Sequence, residues 1–368
     1  MVMEQNTAHL RPRAEERYAT ELATLAAADS DRKPPGWSLS ARAVRSFILG
    51  DAKLDVRRKF YGDDALVERA IVALMSEQGL MLVGEPGTAK SMLSELFAAA
   101  ISGTSMLVVQ GSTGVTEDHV RYGWNYALLI AEGPSGRALV PSPVLEAMRL
   151  GRIVRIEELT RCPPEIQDVL ISILSEKVMA IPELGEAASV YAAPGFSIIG
   201  TANLRDRGVH EMSSALKRRF NFETVRPLAD PALEMELVRR ELDQRLGRAA
   251  VSVSFPEEVI DLLVTTFQDL RRGHTRDNVP LPKPSAIMST AEAVNVAHAA
   301  ALEAAFLGNG TVGGGNIGRQ MRGIIVKDNE DDVKKVRAYV DHVVKERARK
   351  SRVWSDFFTA VKSMSGDG

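Results

Sequence analysis

Gly84, Glu85, Pro86, Gly87, Thr88, Ala89, Lys90 and Ser91 have the types and spacing to hold a polyphosphate. They follow the apolar run Leu80-Met81-Leu82-Val83 and precede an apolar helical stretch, which gives the order strand, glycine-bearing turn, helix. In that order the turn's N–H groups surround a β-phosphate, and the helix directs the positive end of its dipole at the anion. Lys90 can reach the β- and γ-phosphates and the Ser91 hydroxyl can ligate Mg²⁺. The P-loop pattern has Gly before the Lys; this chain has Ala89.

Three further groups extend that chemistry. Arg152-Ile153-Val154-Arg155-Ile156 is an apolar strand ending in Glu157 and Glu158, the form of a Walker B segment. There the first acid supports Mg²⁺ and the second polarises the attacking water. Glu157 stands where Asp is usual, and Arg155 shares its face of the strand. Simple neutralisation of Glu157 by Arg155 is therefore a second reading, compatible with metal support. Phe196–Ala202 leads to Asn203, whose amide could hold the γ-phosphate and the water. Arg218 and Arg219, before Phe220, end a helix; cations there complement the helix dipole. One of them could also act as an arginine finger on a neighbouring subunit, a role worth roughly 10³–10⁵ in rate.

The elements that must position these groups can be read from the pattern. Between residues 80 and about 225, β-rich runs alternate with helices, as in a parallel α/β sheet. The strands expected are Leu80–Val83, Met106–Gln110, Arg152–Ile156 and Phe196–Gly200. Ligands bind at the carboxyl ends of such strands, where all these groups fall. Upstream, helices are expected over 11–28, 39–49 and 64–77. After Asp230, a good N-cap with Pro231 behind it, the periodicity predicts helices near 231–246, 256–271 and 285–306. Gly308-Asn309-Gly310 and Gly313-Gly314-Gly315 read as a flexible break. A basic helix over 331–349 and a short end with Trp354, Phe357 and Phe358 close the chain.

With 45% hydrophobic and 26% charged residues and a net charge of −2, the composition is that of an ordinary globular protein. It carries no general polyanion-binding bias. Cys162 is the only cysteine, so no intrachain disulfide or cysteine-cluster metal site is possible. The polar N-terminus lacks a secretory h-region, and no run approaches the ~18 apolar residues of a membrane span. A cytoplasmic location is expected.

Taken together, Gly84–Ser91, Glu157-Glu158, Thr201-Ala202-Asn203 and Arg218-Arg219-Phe220, followed by helices, resemble an AAA+ ATPase. The Gly-Glu-Pro-Gly-Thr-Ala-Lys-Ser loop, the long segment Gly111–Leu150 and the stretch Arg161-Cys162-Pro163-Pro164-Glu165-Ile166-Gln167 are similar to the MoxR family. The resemblance covers roughly residues 60–305. It implies an α/β P-loop core with a parallel sheet and an all-helical lid. The domains expected are an N-terminal helical extension over 1–50, the core over 51–226, the lid over 227–306, and a flexible loop with a helical tail over 307–368. It also implies a homo-oligomeric ring, commonly a hexamer, with ATP at subunit interfaces. In that scheme the 84–91 loop binds ATP, and Ser91 and Glu157 serve Mg²⁺. Glu158 is the catalytic base and Asn203 is sensor 1. Arg219, with Arg218 second, is the finger in trans. Phe60-Tyr61-Gly62 falls where the family contacts adenine, so Tyr61 and Gly62 join the nucleotide site. The family's lid pattern Ser-Pro-Arg-Ala is here Lys283-Pro284-Ser285-Ala286, which puts Ser285 in place of the sensor 2 arginine, with Lys283 as a nearby substitute. Residues 111–150 and 178–195 are candidate partner-contact regions.

The leading function is an ATP-driven remodelling or chaperone-like ATPase, working with a von Willebrand factor A domain protein as MoxR-like proteins commonly do. A second is a nucleotide-switched scaffold with slow or no hydrolysis, towards which Ala89, Glu157 and Ser285 lean. A third, a nucleic-acid motor or nuclease-associated GTPase, draws on the basic stretches 334–337 and 345–352. There Asp341, Glu346 and the acidic run 330–332 favour a solvated helix face instead, and nucleic acid is not the expected partner.

Overall fold

A computed structural model describes residues 11–185, 188–203, 210–285, 288–325 and 330–363. Outside the loop tip Pro86–Thr88, the chain divides into two compact units at Val225–Arg226.

The first unit opens with α1 (Ala14–Arg17), α2 (Ala19–Ala28), α3 (Ala41–Leu49) and α4 (Asp64–Met75). The helix expected over 11–28 is thus broken at Tyr18. Strand β1 (Gly79–Val83) leads through the 84–89 loop to α5 (Lys90–Ser102) and then β2 (Val108–Gln110). A small hairpin, β3 (Tyr122–Trp124) with β4 (Leu139–Pro141), encloses α6 (Tyr126–Glu132). Helix α7 (Pro143–Leu150) feeds β5 (Ile153–Glu157), and α8 (Pro164–Glu176) feeds the hairpin of β6 (Val178–Ala180) and β7 (Ser189–Tyr191). Strand β8 (Ser197–Ala202), α9 (Ser214–Lys217) and β9 (Phe220–Thr224) complete the unit.

Five strands form one sheet in the order β2-β5-β8-β1-β9, every neighbouring pair parallel. Every residue of β1, β5 and β8 is buried, so these central strands read as near-continuous apolar runs rather than alternating ones. The expected start of β2 at Met106 fails because Met106 is 58% exposed at this edge of the sheet. Parallel register brings Val83 opposite Ala202 and Gln110 opposite Glu157. The residues that follow β1, β5 and β8 therefore emerge at the same, carboxyl end of the sheet. Gly111 runs close beside them: a Cβ there would lie 2.3 Å from the Glu158 carbonyl oxygen.

The N-terminal helices are fastened to this unit by ionic contacts. The Ala14 N–H donates to Glu95 Oε1 of α5 at 3.0 Å. Lys59, 2% exposed, donates to Glu21 Oε2 at 2.5 Å, the Phe47 carbonyl at 2.7 Å and the Arg57 carbonyl at 2.9 Å. Its ammonium also lies 4.3 Å from the Phe47 ring centroid, so burial is fully compensated. Lys59→Ala should leave Glu21 unpaired and lower stability by about 3 kcal/mol, read as a lower urea midpoint with unchanged m.

The second unit is helical: α10 (Pro231–Arg248), α11 (Glu257–Arg272), α12 (Thr290–Phe306), α13 (Gly314–Ile325), α14 (Glu330–Tyr339), α15 (Lys345–Ala348) and α16 (Arg352–Ser363). A π turn, Val340–Val344, joins α14 to α15. Fully buried Glu234 of α10 accepts from Arg271 at 2.6 Å, Gln268 at 2.7 Å and Thr290 at 2.6 Å, pinning α10, α11 and α12 together. Helix α12 starts later than the expected 285 because Ser289 caps it, with Glu292 closing a capping box. The glycines expected as a flexible break behave differently from Gly314 onward. A Cβ at Gly314 would lie 2.0 Å from the Val353 carbonyl oxygen, and one at Gly318 2.9 Å from the Ala360 methyl. At i, i+4 spacing they form the flat face on which α16 packs. No helix among the described residues is long and apolar enough to cross a membrane.

Candidate nucleotide site

The 84–89 loop holds its form without the expected glycine. Ala89 has φ 68° and ψ 19°, in the left-handed region, which costs an L-residue about 1–2 kcal/mol relative to the right-handed region. The substitution thus adds strain and keeps the turn. Lys90, 7% exposed, donates to the Gly84 carbonyl at 3.1 Å and the Glu85 carbonyl at 2.8 Å. An anionic phosphate would compete for that ammonium with stronger, charge-assisted bonds.

Glu157 gathers the hydroxyls around it. Its Oε2 accepts from Ser91 at 2.6 Å and Thr201 at 2.8 Å, and its Oε1 from Ser94 at 2.6 Å. Arg155 lies beside it, Nη1 to Oε1 3.5 Å, both side chains almost fully buried. Burial pushes the Arg155 guanidinium pKa down, while the Glu157 and Glu95 charges pull it back up. A hydroxyl and a carboxylate 2.6 Å apart form an all-oxygen pair of the kind Mg²⁺ takes when phosphates and water supply its other ligands. Among the described residues no group of three or more His, Cys, Asp or Glu could hold a metal, so an ion here would depend on such added ligands.

Glu158 has φ 53° and ψ 45°, a left-handed conformation uncommon outside glycine and characteristic of functional positions. Its N–H donates to Thr201 Oγ1 at 2.9 Å, and its carboxylate pairs with Arg161 at 3.0 Å. The side chain is 35% exposed and stays accessible to water. Asn203 follows directly on β8, next to Ala202, whose register partner Val83 precedes Gly84. Gly84, Glu157, Glu158 and Asn203 thus converge at the carboxyl end of the parallel sheet.

The remaining candidates are described by their own surroundings. Tyr61 and Gly62 stand on the entry to α4, with the Arg58 guanidinium 5.6 Å from the Tyr61 ring centroid. Arg218 is exposed at the end of α9. Arg219 is half-buried and donates to Ser175 Oγ and, at 2.6 Å, to the Ala215 carbonyl. Ser285 gives its N–H and hydroxyl to the buried carboxylate of Asp332, both at 2.7 Å. The neighbouring Ala286 lies outside the described residues. Burial raises the thiol pKa of Cys162. Two contributors have no role assigned from the sequence. Ser94 shares a helix face with Ser91 at i, i+3, and Thr201, two residues before Asn203, bridges Glu157 and the Glu158 N–H.

A family profile described as an AAA domain of the dynein-related subfamily matches residues 79–220. Another, described as a YehL-like AAA+ ATPase C-terminal domain, matches residues 232–364. The chain is 50% identical over 357 residues to the uncharacterized protein YehL of Escherichia coli (strain K12), covering 97% of this chain and 98% of that one. It is 27% identical over 215 residues to the chaperone MoxR1 of Mycobacterium tuberculosis, covering 58% of this chain and 53% of that one. The crystal structure of NtrX from Brucella abortus superimposes with a TM-score of 0.50 at 12% identity, covering 82% of this chain and 64% of that chain, a likeness of fold alone.

Proposed function

We propose, for a chain that belongs to the YehL group of the MoxR-type AAA+ ATPases, that it binds ATP on the 84–91 loop and hydrolyses it between copies of itself. The assembly would be a ring, most simply a hexamer. The cycle would remodel or assemble a protein partner, in the cytoplasm, with a von Willebrand factor A domain protein as the expected co-worker. The observation that carries the chemistry is the 2.6 Å bond between Ser91 and Glu157, with Glu158 next in the chain. It fits a site in which Lys90 and the loop amides bind phosphate while Ser91 and Glu157 hold Mg²⁺. Glu158 would take the proton of the attacking water and Asn203 would orient that water. Bound Mg²⁺ would neutralise charge on the phosphates. Tyr61 and Gly62 would border the adenine.

ATP turnover per subunit, measured as protein concentration rises with Lys90→Ala as the blank, tests this reading. A specific rate that climbs and then saturates is expected, because sites completed between subunits appear only on assembly. The slow scaffold draws support from Ser285, which is bonded to Asp332 where the family carries an arginine. A rate equal to the blank, with ATP still promoting assembly, would favour it.

A further inference from the structure

Beside the Ser91–Glu157 pair lies a group that binding a metal does not require. Arg155 is 4% exposed and two residues before Glu157 on β5. Its Nη1 is 3.4 Å from the Ser91 carbonyl oxygen, 3.4 Å from the Ser94 hydroxyl and 3.5 Å from Glu157 Oε1. All three contacts are long, and the buried Nε has no hydrogen-bond partner. An arginine kept for a structural ion pair closes on its carboxylate through short, often paired bonds. Here the short bonds to Glu157 come from Ser91, Ser94 and Thr201, and the guanidinium stands by as a charge. Glu95, the other carboxylate acting on Arg155, is bonded to the Ala14 N–H and to Arg11.

We propose that Arg155 is a resident counter-ion of the metal site: it neutralises Glu157 when no metal is bound and opposes the entry of a divalent cation. It thereby sets how much Mg²⁺ the nucleotide site requires. The inference rests on the reading of Ser91 and Glu157 as the protein's metal ligands. Its logic is electrostatic. A buried carboxylate without a nearby cation is strongly unfavourable, so Arg155 stabilises the metal-free chain. The same charge repels an incoming Mg²⁺, and in a poorly solvated site that repulsion acts beyond contact distance. Both effects push metal binding towards higher Mg²⁺. Glu157, which stands where Asp is usual, and Arg155 then act as a pair. The longer side chain collects three hydroxyls, and the arginine balances its charge.

Thermal unfolding of the full chain with ADP, followed as Mg²⁺ is added after EDTA treatment, tests the proposal without reference to turnover. Arg155→Met and Arg155→Gln should unfold at lower temperature than wild type in EDTA. They should reach half of their Mg²⁺-induced gain at a concentration on the order of tenfold lower. Arg155→Lys, which keeps the charge, should stay near the wild-type midpoint. Neutral variants with an unchanged or raised Mg²⁺ midpoint would overturn the proposal, as would Arg155→Lys behaving like Arg155→Met. Should Arg155→Met not fold, Arg155→Gln decides alone. A wild type that gains nothing from Mg²⁺ would sink the metal reading together with this inference, whereas a wild-type gain that the neutral variants leave unshifted sinks the inference only.

Discussion

Glu158→Gln should leave nucleotide binding and assembly intact and reduce ATP turnover by about 10²–10⁴-fold, the contribution of a positioned general base. Three features make the substitution selective. Gln keeps the shape of Glu, so the left-handed backbone at 158 and its N–H bond to Thr201 are undisturbed. The ion pair lost with Arg161 joins partly exposed groups, 45% and 35%, and such pairs contribute only about 0–1 kcal/mol. The amide cannot accept a proton from water, which removes the chemical step alone. Phosphate release measured beside ADP affinity and size-exclusion elution checks all three. Persistent turnover with normal assembly would remove Glu158 as the base.

The positions of these groups were legible because strand ends are legible. Leu80–Val83 is a continuous apolar run and Phe196–Gly200 is interrupted only by Ser197, and a strand buried on both faces by helices leaves that trace. Once the sheet is parallel, the residues after each run must emerge together, and Gly84, Glu158 and Asn203 do. Hydroxyl partners leave no such trace. Ser94 and Thr201 are small polar residues in apolar surroundings, and only the fold brings their oxygens within 2.6 and 2.8 Å of Glu157. Ala89 was legible as a departure but not in its consequence, since φ is a property of the folded turn. The glycines near 314 misled for a related reason. Glycine marks both flexibility and close approach, and only the partner helix, through Val353 and Ala360, decides which. Ser285 was read as a missing cation; its bonds to Asp332 give the residue a structural task that sequence spacing does not reveal.

Arg219→Ala should cost roughly 10³–10⁵ in turnover of the assembled protein, the scale of an arginine finger, and leave nucleotide affinity of the isolated subunit unchanged. Arg218→Ala should retain most activity. The distinction comes from anchoring. Arg219 is held by Ser175 Oγ and by the Ala215 carbonyl at 2.6 Å, so its guanidinium is kept in one direction, whereas Arg218 is exposed. A cation that must meet a developing charge acts best when its rotamer is already fixed. The Arg219 bonds also tie α9 to the end of α8, so Arg219→Ala needs a control for local collapse, and mixing supplies it. A Lys90→Ala subunit cannot bind phosphate well but still presents Arg219 to its neighbour. Combined with Arg219→Ala subunits, it should restore part of the activity that neither has alone. Recovery requires that the arginine act across a subunit boundary and that the Arg219→Ala subunit be correctly folded. A mixture as inactive as its components would place the arginine's effect within its own subunit, and recovery with Arg218→Ala instead would transfer the role to Arg218.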